Sequence, residues 1–365
     1  MNKPKISIIV PVYNTEDYLD RCLTSLTGQT LEEIQIVLVD DGSEDQSGII
    51  CDTYAAEDDR VTVIHKENEG QGIARNAGLA VATGEFVCFV DSDDHIRKNT
   101  CKRLYSIMKN SEADICTFGY EIDSPDGRCV RIPQIRNGIY SGKKVTEKFI
   151  PHFFGDDPAD DELRGFSSCM SCFRTDIIKE NSISFPSERK YLSEDTVFCL
   201  EYCKHVKTAI TVSDIFYHYC QKSDSFSQGY RPDKMEKTMK MLGVLKGYAS
   251  SYGIEDIVKT RLSMYVWVNL MASLKQEVRH LDKMLASKEY NDVSKDDTVI
   301  SKKSIVNRTK KRIQKLCFDS QVTDAVADLK RSKISLKQKL LLVSFLNKDI
   351  PAVMLLCRIR SGIKM

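Results

Sequence analysis

The stretch that decides the fold is Val87–Asp94, VCFVDSDD, in which an apolar strand ends in three carboxylates. Strands this apolar are typical of parallel sheets that are buried on both faces, and such sheets bind ligands at the carboxyl ends of their strands. Carboxylates this close repel one another unless a cation lies among them, and hard oxygen ligands suit Mg²⁺ or Mn²⁺. On its own the stretch predicts either a site for a metal-bound phosphate compound or a solvated turn, because Asp is also a common turn residue.

Three more β-branched runs, each followed by a helical pattern, precede this strand. The runs are residues 6–10, 34–39 and 61–64. We expect the first helix to begin near Thr15, a good N-cap, and the later two to end near Ala56 and Val81. Strands and helices that alternate with short loops predict βαβ units, and therefore an α/β fold with a mostly parallel sheet.

Four sequence blocks in this region resemble the family 2 glycosyltransferases, which are inverting enzymes with the GT-A fold. The blocks are residues 7–14 (SIIVPVYN), 39–43 (VDDGS), 72–78 (GIARNAG) and 91–94 (DSDD). Four blocks in this order are far more specific than any one of them. The resemblance implies a GT-A nucleotide-diphospho-sugar transferase fold, with a Rossmann-like sheet, and we expect the catalytic domain to span residues 1–229.

The resemblance also implies a nucleotide pocket. The residues expected to form it are Pro11, Val12, Tyr13, Asn14, Asp40, Asp41, Arg75, Asp91 and Ser92. In this assignment the ring of Tyr13 stacks on the base, and Asp41 accepts the imide N–H of uracil, since a carboxylate offers only acceptors. Arg75 contacts phosphate oxygens. Each assignment has a plainer alternative. Tyr13 is a core residue, one of Asp40 and Asp41 only caps the next helix, or Arg75 forms a surface ion pair.

The Asp-x-Asp pattern takes a metal-binding role in the resemblance. Asp93 is the expected direct ligand of Mn²⁺ or Mg²⁺, Asp91 reaches the ribose or the water shell of the metal, and Asp94 orients its neighbour. The ion would neutralise the charge that develops as the nucleotide leaves. His218, in the stretch FYHY at residues 216–219, is a further candidate ligand, with an ordinary structural histidine as the alternative.

A second acidic pair, Glu194 and Asp195, stands at the predicted start of a helix with Ser193 as its N-cap. The resemblance implies that Asp195 is the catalytic base, which takes the proton from the acceptor hydroxyl in a single inverting displacement. Glu194 then contacts the acceptor or raises the pKa of its neighbour. The alternative is that both acids only favour the first turn of the helix.

Helical patterns replace strands beyond about Tyr230, and we expect a helical extension over residues 230–300 and a basic tail over residues 301–365. The tail holds sixteen Lys and Arg against four Asp, a net charge of +12 in a chain of +1, which leaves −11 on the first 300 residues. Basic amphipathic helices predict binding to an anionic membrane surface, without spanning it. The alternative is a helical appendage with a solvated basic face. The acidic catalytic region argues against nucleic acid.

The chain contains thirteen cysteines, an odd number, and its first predicted strand is not preceded by a signal peptide. These two features predict free thiols in a reducing cytoplasm. A lone Cys-x-x-Cys, Cys169 to Cys172, lacks a second pair at the spacing of a zinc site.

These features together predict a metal-dependent inverting glycosyltransferase that moves a hexosyl or N-acetylhexosaminyl group from a nucleotide sugar, UDP-linked, to a glycan or lipid-linked acceptor. We expect it to act in cell-surface polysaccharide synthesis, such as capsule or exopolysaccharide, in the cytoplasm or on the inner face of the membrane. A catalytically inactive GT-A scaffold and a nucleotidyltransferase are the alternatives. The sequence lacks the glycine-rich, basic N-terminal loop that a nucleotidyltransferase would need.

Overall fold

Alternating strands and helices build the sheet region of this computed structural model, which describes residues 3–124, 127–132, 136–157, 167–221, 231–286, 302–332 and 334–360. Two compact units divide the chain: Met1–Gly155 with Asp161–Ser223, and Asp224–Met365 with Asp156–Asp160. The described part of the first unit contains all the strands, and that of the second is helical.

Ten strands of the described residues form one sheet in the first unit. They are β1 (Ile6–Val12), β2 (Ile34–Asp40), β3 (Val61–His65), β4 (Phe86–Phe89), β5 (His95–Ile96), β6 (Ile115–Asp123), β7 (Cys129–Ile132), β8 (Gly138–Ser141), β9 (Ser171–Arg174) and β10 (Thr208–Cys220). The helices of this unit are α1 (Glu16–Thr27), α2 (Ser47–Glu57), α3 (Gln71–Val81), α4 (Thr100–Ser111), α5 (Thr175–Glu180) and α6 (Glu194–Cys203), with a π-helical turn at Val145–Phe149 and a 3-10 turn at Ile150–Phe154.

The sheet runs in the order β3-β2-β1-β4-β9-β6-β10-β5, with β7 beside β6 and β8 beside β10. The four strands that the sequence predicts are parallel neighbours, and β6 and β10 form a second parallel pair. Strand β9 is antiparallel to both β4 and β6 and joins the two halves. Every residue of β1 is buried, as expected of a strand covered on both faces.

Two helix starts occur where the sequence predicts them, but the predicted side-chain caps do not form. The Thr15 side chain makes no cap bond to α1; its hydroxyl donates instead to Ser92 Oγ at 3.0 Å. Ser193 likewise precedes α6 without a side-chain cap. A tertiary contact has therefore replaced the local one at Thr15.

The second unit consists of helices around one long helix. They are α7 (Lys234–Tyr252), α8 (Glu255–Ala286), α9 (Lys302–Phe318), α10 (Ser320–Ala327), α11 (Leu336–Leu346) and α12 (Ile350–Arg360), with a 3-10 turn at Asp328–Arg331. Helix α8 contacts α7, α9, α10 and α12, and its Trp267 is fully buried. Ile305 and Ile313 of α9, which lie between the basic residues of the tail, are buried too. None of the helices in the described ranges combines the length and apolarity that crossing a bilayer requires.

Candidate active site

The amino end of α3 organises one side of the site. Gly70, at a φ of +100°, donates its backbone N–H to Asp41 Oδ2 at 2.7 Å, and the backbone N–H of Glu69 donates to Asp41 Oδ1 at 3.1 Å. Lys66 Nζ lies 2.8 Å from the same Oδ1. The buried Asp41 carboxylate therefore holds the loop that leads from β3 into α3. The structure places Asp41 in an ion pair that the sequence did not reveal.

The neighbouring Asp40 is held by other groups. Its Oδ1 accepts the backbone N–H of Ser43 at 3.0 Å, and its Oδ2 lies 2.9 Å from His65 Nδ1. The two carboxylates end the same strand but hold different loops. The alternative, in which one of these two carboxylates only caps α2, is wrong. The first residue of that helix, Ser47, donates its backbone N–H to Asp45 Oδ1 at 2.9 Å instead.

The end of β1 carries the residues that the resemblance assigns to the nucleotide pocket. Pro11 and Val12 are buried, whereas Tyr13 is 46% exposed, which excludes the alternative of a core tyrosine. Asn14 adopts a left-handed backbone with a φ of +49°, and its Oδ1 accepts the backbone N–H of Glu44 at 2.8 Å. An open aromatic ring next to a fixed turn is free to meet a flat ligand.

The three carboxylates after β4 differ in their surroundings. Asp91 Oδ1 accepts hydrogen bonds from Gln71 Nε2 and Arg75 Nη2, each at 2.8 Å. Its Oδ2 takes no hydrogen bond from the described residues. Asp93 is partly exposed, and its backbone carbonyl accepts from Arg21 Nη2 at 2.9 Å. Ser92 is buried and bonded to Thr15, so it anchors the turn.

Asp94 is the buried member of this group. Tyr217 Oη donates to its Oδ2 at 2.7 Å, and the backbone N–H of Cys220 donates to its Oδ1 at 2.8 Å. Burial, with repulsion from Asp91 and Asp93, raises the pKa of Asp94 to about 8. Asp94 therefore joins the turn to the end of β10.

Arg75 connects the turn to the second acidic pair. Its side chain is 3% exposed; Nη2 donates to Asp91 Oδ1 at 2.8 Å and Nη1 to Glu194 Oε1 at 2.9 Å. The guanidinium carbon lies 5.3 Å from the ring centre of Phe185. Burial opposes the charge, but the carboxylates, Asp91 first, raise the pKa of Arg75 overall. Because the side chain is buried, the alternative of a surface ion pair is excluded. Loss of either carboxylate would leave a buried charge without its partner, which costs stability.

Glu194 and Asp195 begin α6, as the sequence predicts. Burial, together with repulsion from Asp195, raises the pKa of Glu194 to about 7, although Arg75 opposes the shift. Burial also raises the pKa of Asp195; Arg75 opposes this change and Asp91 adds to it. A raised pKa makes a carboxylate a stronger base near neutral pH, which is what removal of a proton from a hydroxyl requires.

His218 has different neighbours from the other predicted ligands. Its ring stacks on His95, with centroids 4.3 Å apart, and its Nδ1 lies 3.2 Å from Asp123 Oδ2 and 3.7 Å from Glu121 Oε2. Arg97 Nε donates to its Nε2 at 3.5 Å. The contacts of His218 are with this group, and none joins it to Asp91 or Asp93, so its role as a ligand of the donor's metal stays a prediction.

Gln71 and Tyr217 are among the contacting residues that the sequence reasoning missed. Gln71 holds Asp91, and its only signal is its place as the first residue of α3 after Gly70. Tyr217 holds Asp94, and its signal was the FYHY stretch, whose tyrosine hydroxyl needs a partner when buried.

Comparison with known proteins matches this chain to one family. The family description Glycosyl transferase family 2 matches residues 7–181. The glycosyltransferase GlyG of Streptococcus pneumoniae serotype 4 is 30% identical over 299 residues, which cover 79% of this chain and 93% of GlyG. The chain belongs to glycosyltransferase family 2.

Other similar proteins in this family carry more specific names. The poly(ribitol-phosphate) beta-glucosyltransferase of Bacillus spizizenii is 32% identical over 264 residues, 70% of this chain but 38% of that protein. The crystal structure of Staphylococcus aureus TarS 1-349 in complex with UDP-GlcNAc has a TM-score of 0.55 at 22% identity, and covers 98% of this chain and 92% of that one. This likeness confirms the GT-A fold.

Proposed function

We propose that this member of family 2 transfers a sugar from a UDP-sugar to a hydroxyl of a cell-surface polymer, with inversion at the anomeric carbon. The observation that carries the proposal is that the buried guanidinium of Arg75 bonds to both Asp91 and Glu194, and so joins the Asp-x-Asp turn to the acidic pair that includes Asp195. Family membership supports glycosyl transfer and argues against the nucleotidyltransferase alternative. The intact acidic residues argue against an inactive scaffold.

The nucleotide end of the donor is assigned to the β1 and β2 ends. The exposed ring of Tyr13 offers a stacking surface, and Asp41 offers carboxylate lone pairs that its partners do not fully occupy. The similar TarS fragment forms a complex with UDP-GlcNAc, which supports a uridine nucleotide here without deciding the sugar. Arg75 acts on the diphosphate through Asp91 in this arrangement, because its guanidinium is buried and two of its donors hold Asp91 and Glu194.

A divalent cation fits the acidic turn. Asp91 Oδ2 has no donor among the described residues, and Asp93 is partly exposed, so both present hard oxygen ligands of the kind that Mg²⁺ and Mn²⁺ prefer. Asp94 is held by Tyr217 and Cys220 and supports the turn instead. A bound ion would supply charge neutralisation for the departing diphosphate.

The chain's own acids carry the proton transfer. Asp195 accepts the proton of the acceptor hydroxyl while that oxygen forms its bond to the anomeric carbon and the bond to the nucleotide diphosphate breaks. Glu194 and Arg75 fix the start of α6, so that the base keeps its position. A single displacement of this kind inverts the configuration.

Two variants test the assignment. Asp195→Asn should lose transfer by about 10²-fold or more while UDP binding persists, because general-base catalysis typically contributes that much. Asp93→Asn should lose metal-dependent donor turnover and keep the fold, as judged by circular dichroism. The measurements are UDP release with Mn²⁺ and isothermal titration with UDP. Near-normal turnover in either variant would contradict the corresponding role, and collapse of UDP affinity in Asp195→Asn would make that residue a donor-binding one.

The acceptor class is proposed from the activities of similar proteins. Poly(ribitol-phosphate) transferases occur among them, so a polyol-phosphate polymer is the first acceptor to test, with a lipid-linked glycan as the second. Transfer of radiolabelled sugar to each acceptor separates them.

Membrane association of the second unit is part of the proposal. Leu336, Leu340 and Val343 lie at helical spacing on α11 and are exposed, beside the exposed Lys337 and Lys339. Exposed apolar and basic groups on one helix suit an anionic lipid surface. Leu336→Gln with Leu340→Gln should weaken co-sedimentation with phosphatidylglycerol vesicles at low salt, whereas Ile49→Gln, an exposed control on α2, should not. Equal binding of the unaltered protein, the double variant and the Ile49→Gln control would remove this surface from the proposal.

A further inference from the structure

A second group of ligand-type side chains lies at the end of β10 and has no part in the proposed reaction. His95, Asp123 and Cys220 present ligand atoms that all lie within 4.8 Å of one another. Cys220 Sγ is 3.4 Å from His95 Nδ1, and His95 Nε2 is 3.8 Å from Asp123 Oδ2. The thiol is buried, and the other two residues are partly exposed, so the group can be reached from solvent.

The sheet itself brings these residues together. His95 of β5 lies opposite His218 of β10, and Asp123 of β6 lies opposite Cys220 of β10. His218 and Cys220 are two positions apart on one strand, so their side chains share a face. Two cross-strand pairs on adjacent ladders therefore fix the positions of the three ligand groups, and no loop conformation has to be assumed.

The donor set is imidazole nitrogen, carboxylate oxygen and thiolate sulfur, which is typical of Zn²⁺ and unlike the all-oxygen set of the acidic turn. Zinc bonds of about 2.0–2.3 Å in a tetrahedron separate neighbouring ligand atoms by about 3.4–3.6 Å. Cys220 Sγ and His95 Nδ1, 3.4 Å apart, are at that separation, and one ligand atom from each of the three residues lies within 4.8 Å of the other two, so a small movement of the side chains completes the tetrahedron.

We propose that His95, Asp123 and Cys220 bind a Zn²⁺ ion, with a fourth position open to water, at a site separate from the metal of the sugar donor. His218 is a positioning residue there. Arg97 Nε donates to its Nε2, which leaves Nδ1 to donate to Asp123 Oδ2 at 3.2 Å, and its ring stacks on His95. Partners of this kind orient metal ligands.

Nearby positive charges have other partners. Arg97 Nη2 pairs with Glu121 at 3.0 Å, and Arg21, whose charge acts on His95, donates to the carbonyl of Asp93. The site borders the acidic turn, because His95 follows Asp94 in the chain and the backbone N–H of Cys220 donates to Asp94 Oδ1. A metal on Cys220 would therefore stiffen the strand end that holds Asp94.

Cobalt substitution tests the proposal on the full chain. Metal-free, reduced protein is titrated with Co²⁺, and the expected result is a thiolate-to-cobalt charge-transfer absorption that saturates at one equivalent and is displaced by Zn²⁺. The band should be lost in Cys220→Ser and in His95→Gln. It should persist in Asp93→Asn, which alters the oxygen-only turn, and in Cys129→Ser, which removes the exposed neighbouring thiol. His218→Phe should weaken the Zn²⁺ affinity by about 10–100-fold.

Three results would overturn the site: binding of Co²⁺ without a thiolate band, a band that survives Cys220→Ser, or a band that is lost in Cys129→Ser. If Cys220→Ser does not fold by circular dichroism, the partly exposed His95→Gln decides the question. None of these measurements depends on sugar transfer, so failure here leaves the proposed function untouched.

Discussion

Removal of the Arg75 guanidinium is the sharpest test of the connection between the acidic turn and α6. Arg75→Met keeps the length and apolar stem of the side chain but deletes two charge-assisted hydrogen bonds, to Asp91 and Glu194. Each such bond contributes about 1.5–3 kcal/mol, and breaking a buried ion pair costs about 3–5 kcal/mol. We expect a loss of about 3–5 kcal/mol in the free energy of unfolding.

The loss should come mainly from one partner. The Glu194 side chain is 11% exposed and, without the cation that lowers its pKa, must take up a proton or keep an uncompensated buried charge, whereas that of Asp91 is 29% exposed and can be hydrated. Adding Glu194→Gln to Arg75→Met should therefore recover stability. The matched control is Arg103→Met, which removes a 51% exposed guanidinium that pairs with Asp214 at 3.2 Å and should cost less than about 1 kcal/mol.

Urea unfolding followed by far-ultraviolet circular dichroism measures all four proteins. If Arg75→Met is no less stable than Arg103→Met, the buried connection does not contribute as argued. If the double variant is less stable than the single one, the unpaired Glu194 is not the source of the cost.

Two further predictions concern protons. Glu194→Gln should move the acidic limb of the pH–rate profile to lower pH, because loss of a neighbouring negative charge lowers the pKa of Asp195; a limb that stays in place would assign it to another group. Asp94 has a folded-state pKa of about 8, above its usual value of 3.8, so the folded protein binds the extra proton and its stability should fall as pH rises from about 4 to 8. Asp94→Asn, which keeps an acceptor for the backbone N–H of Cys220, should show a flatter fall in melting temperature between pH 5 and 8, and parallel curves would contradict the assignment.

Local sequence was enough to predict the first half of the fold. The runs that became β1, β2 and β4 are mostly apolar and almost entirely buried, and they are followed by the polar residues that mark a sheet edge. The antiparallel β9 was not predicted, since four residues with no periodic signal were recruited by the edges of β4 and β6.

The candidate site was predicted residue by residue, but its partnerships were not. Arg75 and Glu194 are 119 positions apart, and Tyr217 and Asp94 are 123 apart. Nothing in either stretch specifies its partner, because the pairing arises when α6 and β10 pack beside α3 and β4. The capping prediction at Thr15 failed for the same reason: a hydroxyl 77 positions away offered a better partner.

The single tryptophan of this chain lies in the second unit, so its fluorescence reports on that unit alone. Trp267 is buried within α8, while the fifteen tyrosines are shared between both units. Emission excited selectively from the indole will follow the loss of the helical unit alone, whereas the dichroism of the backbone sums over the whole chain. Coincident denaturation curves from the two signals would mean that sheet and helices melt as one cooperative body, and separated curves would give each unit its own stability.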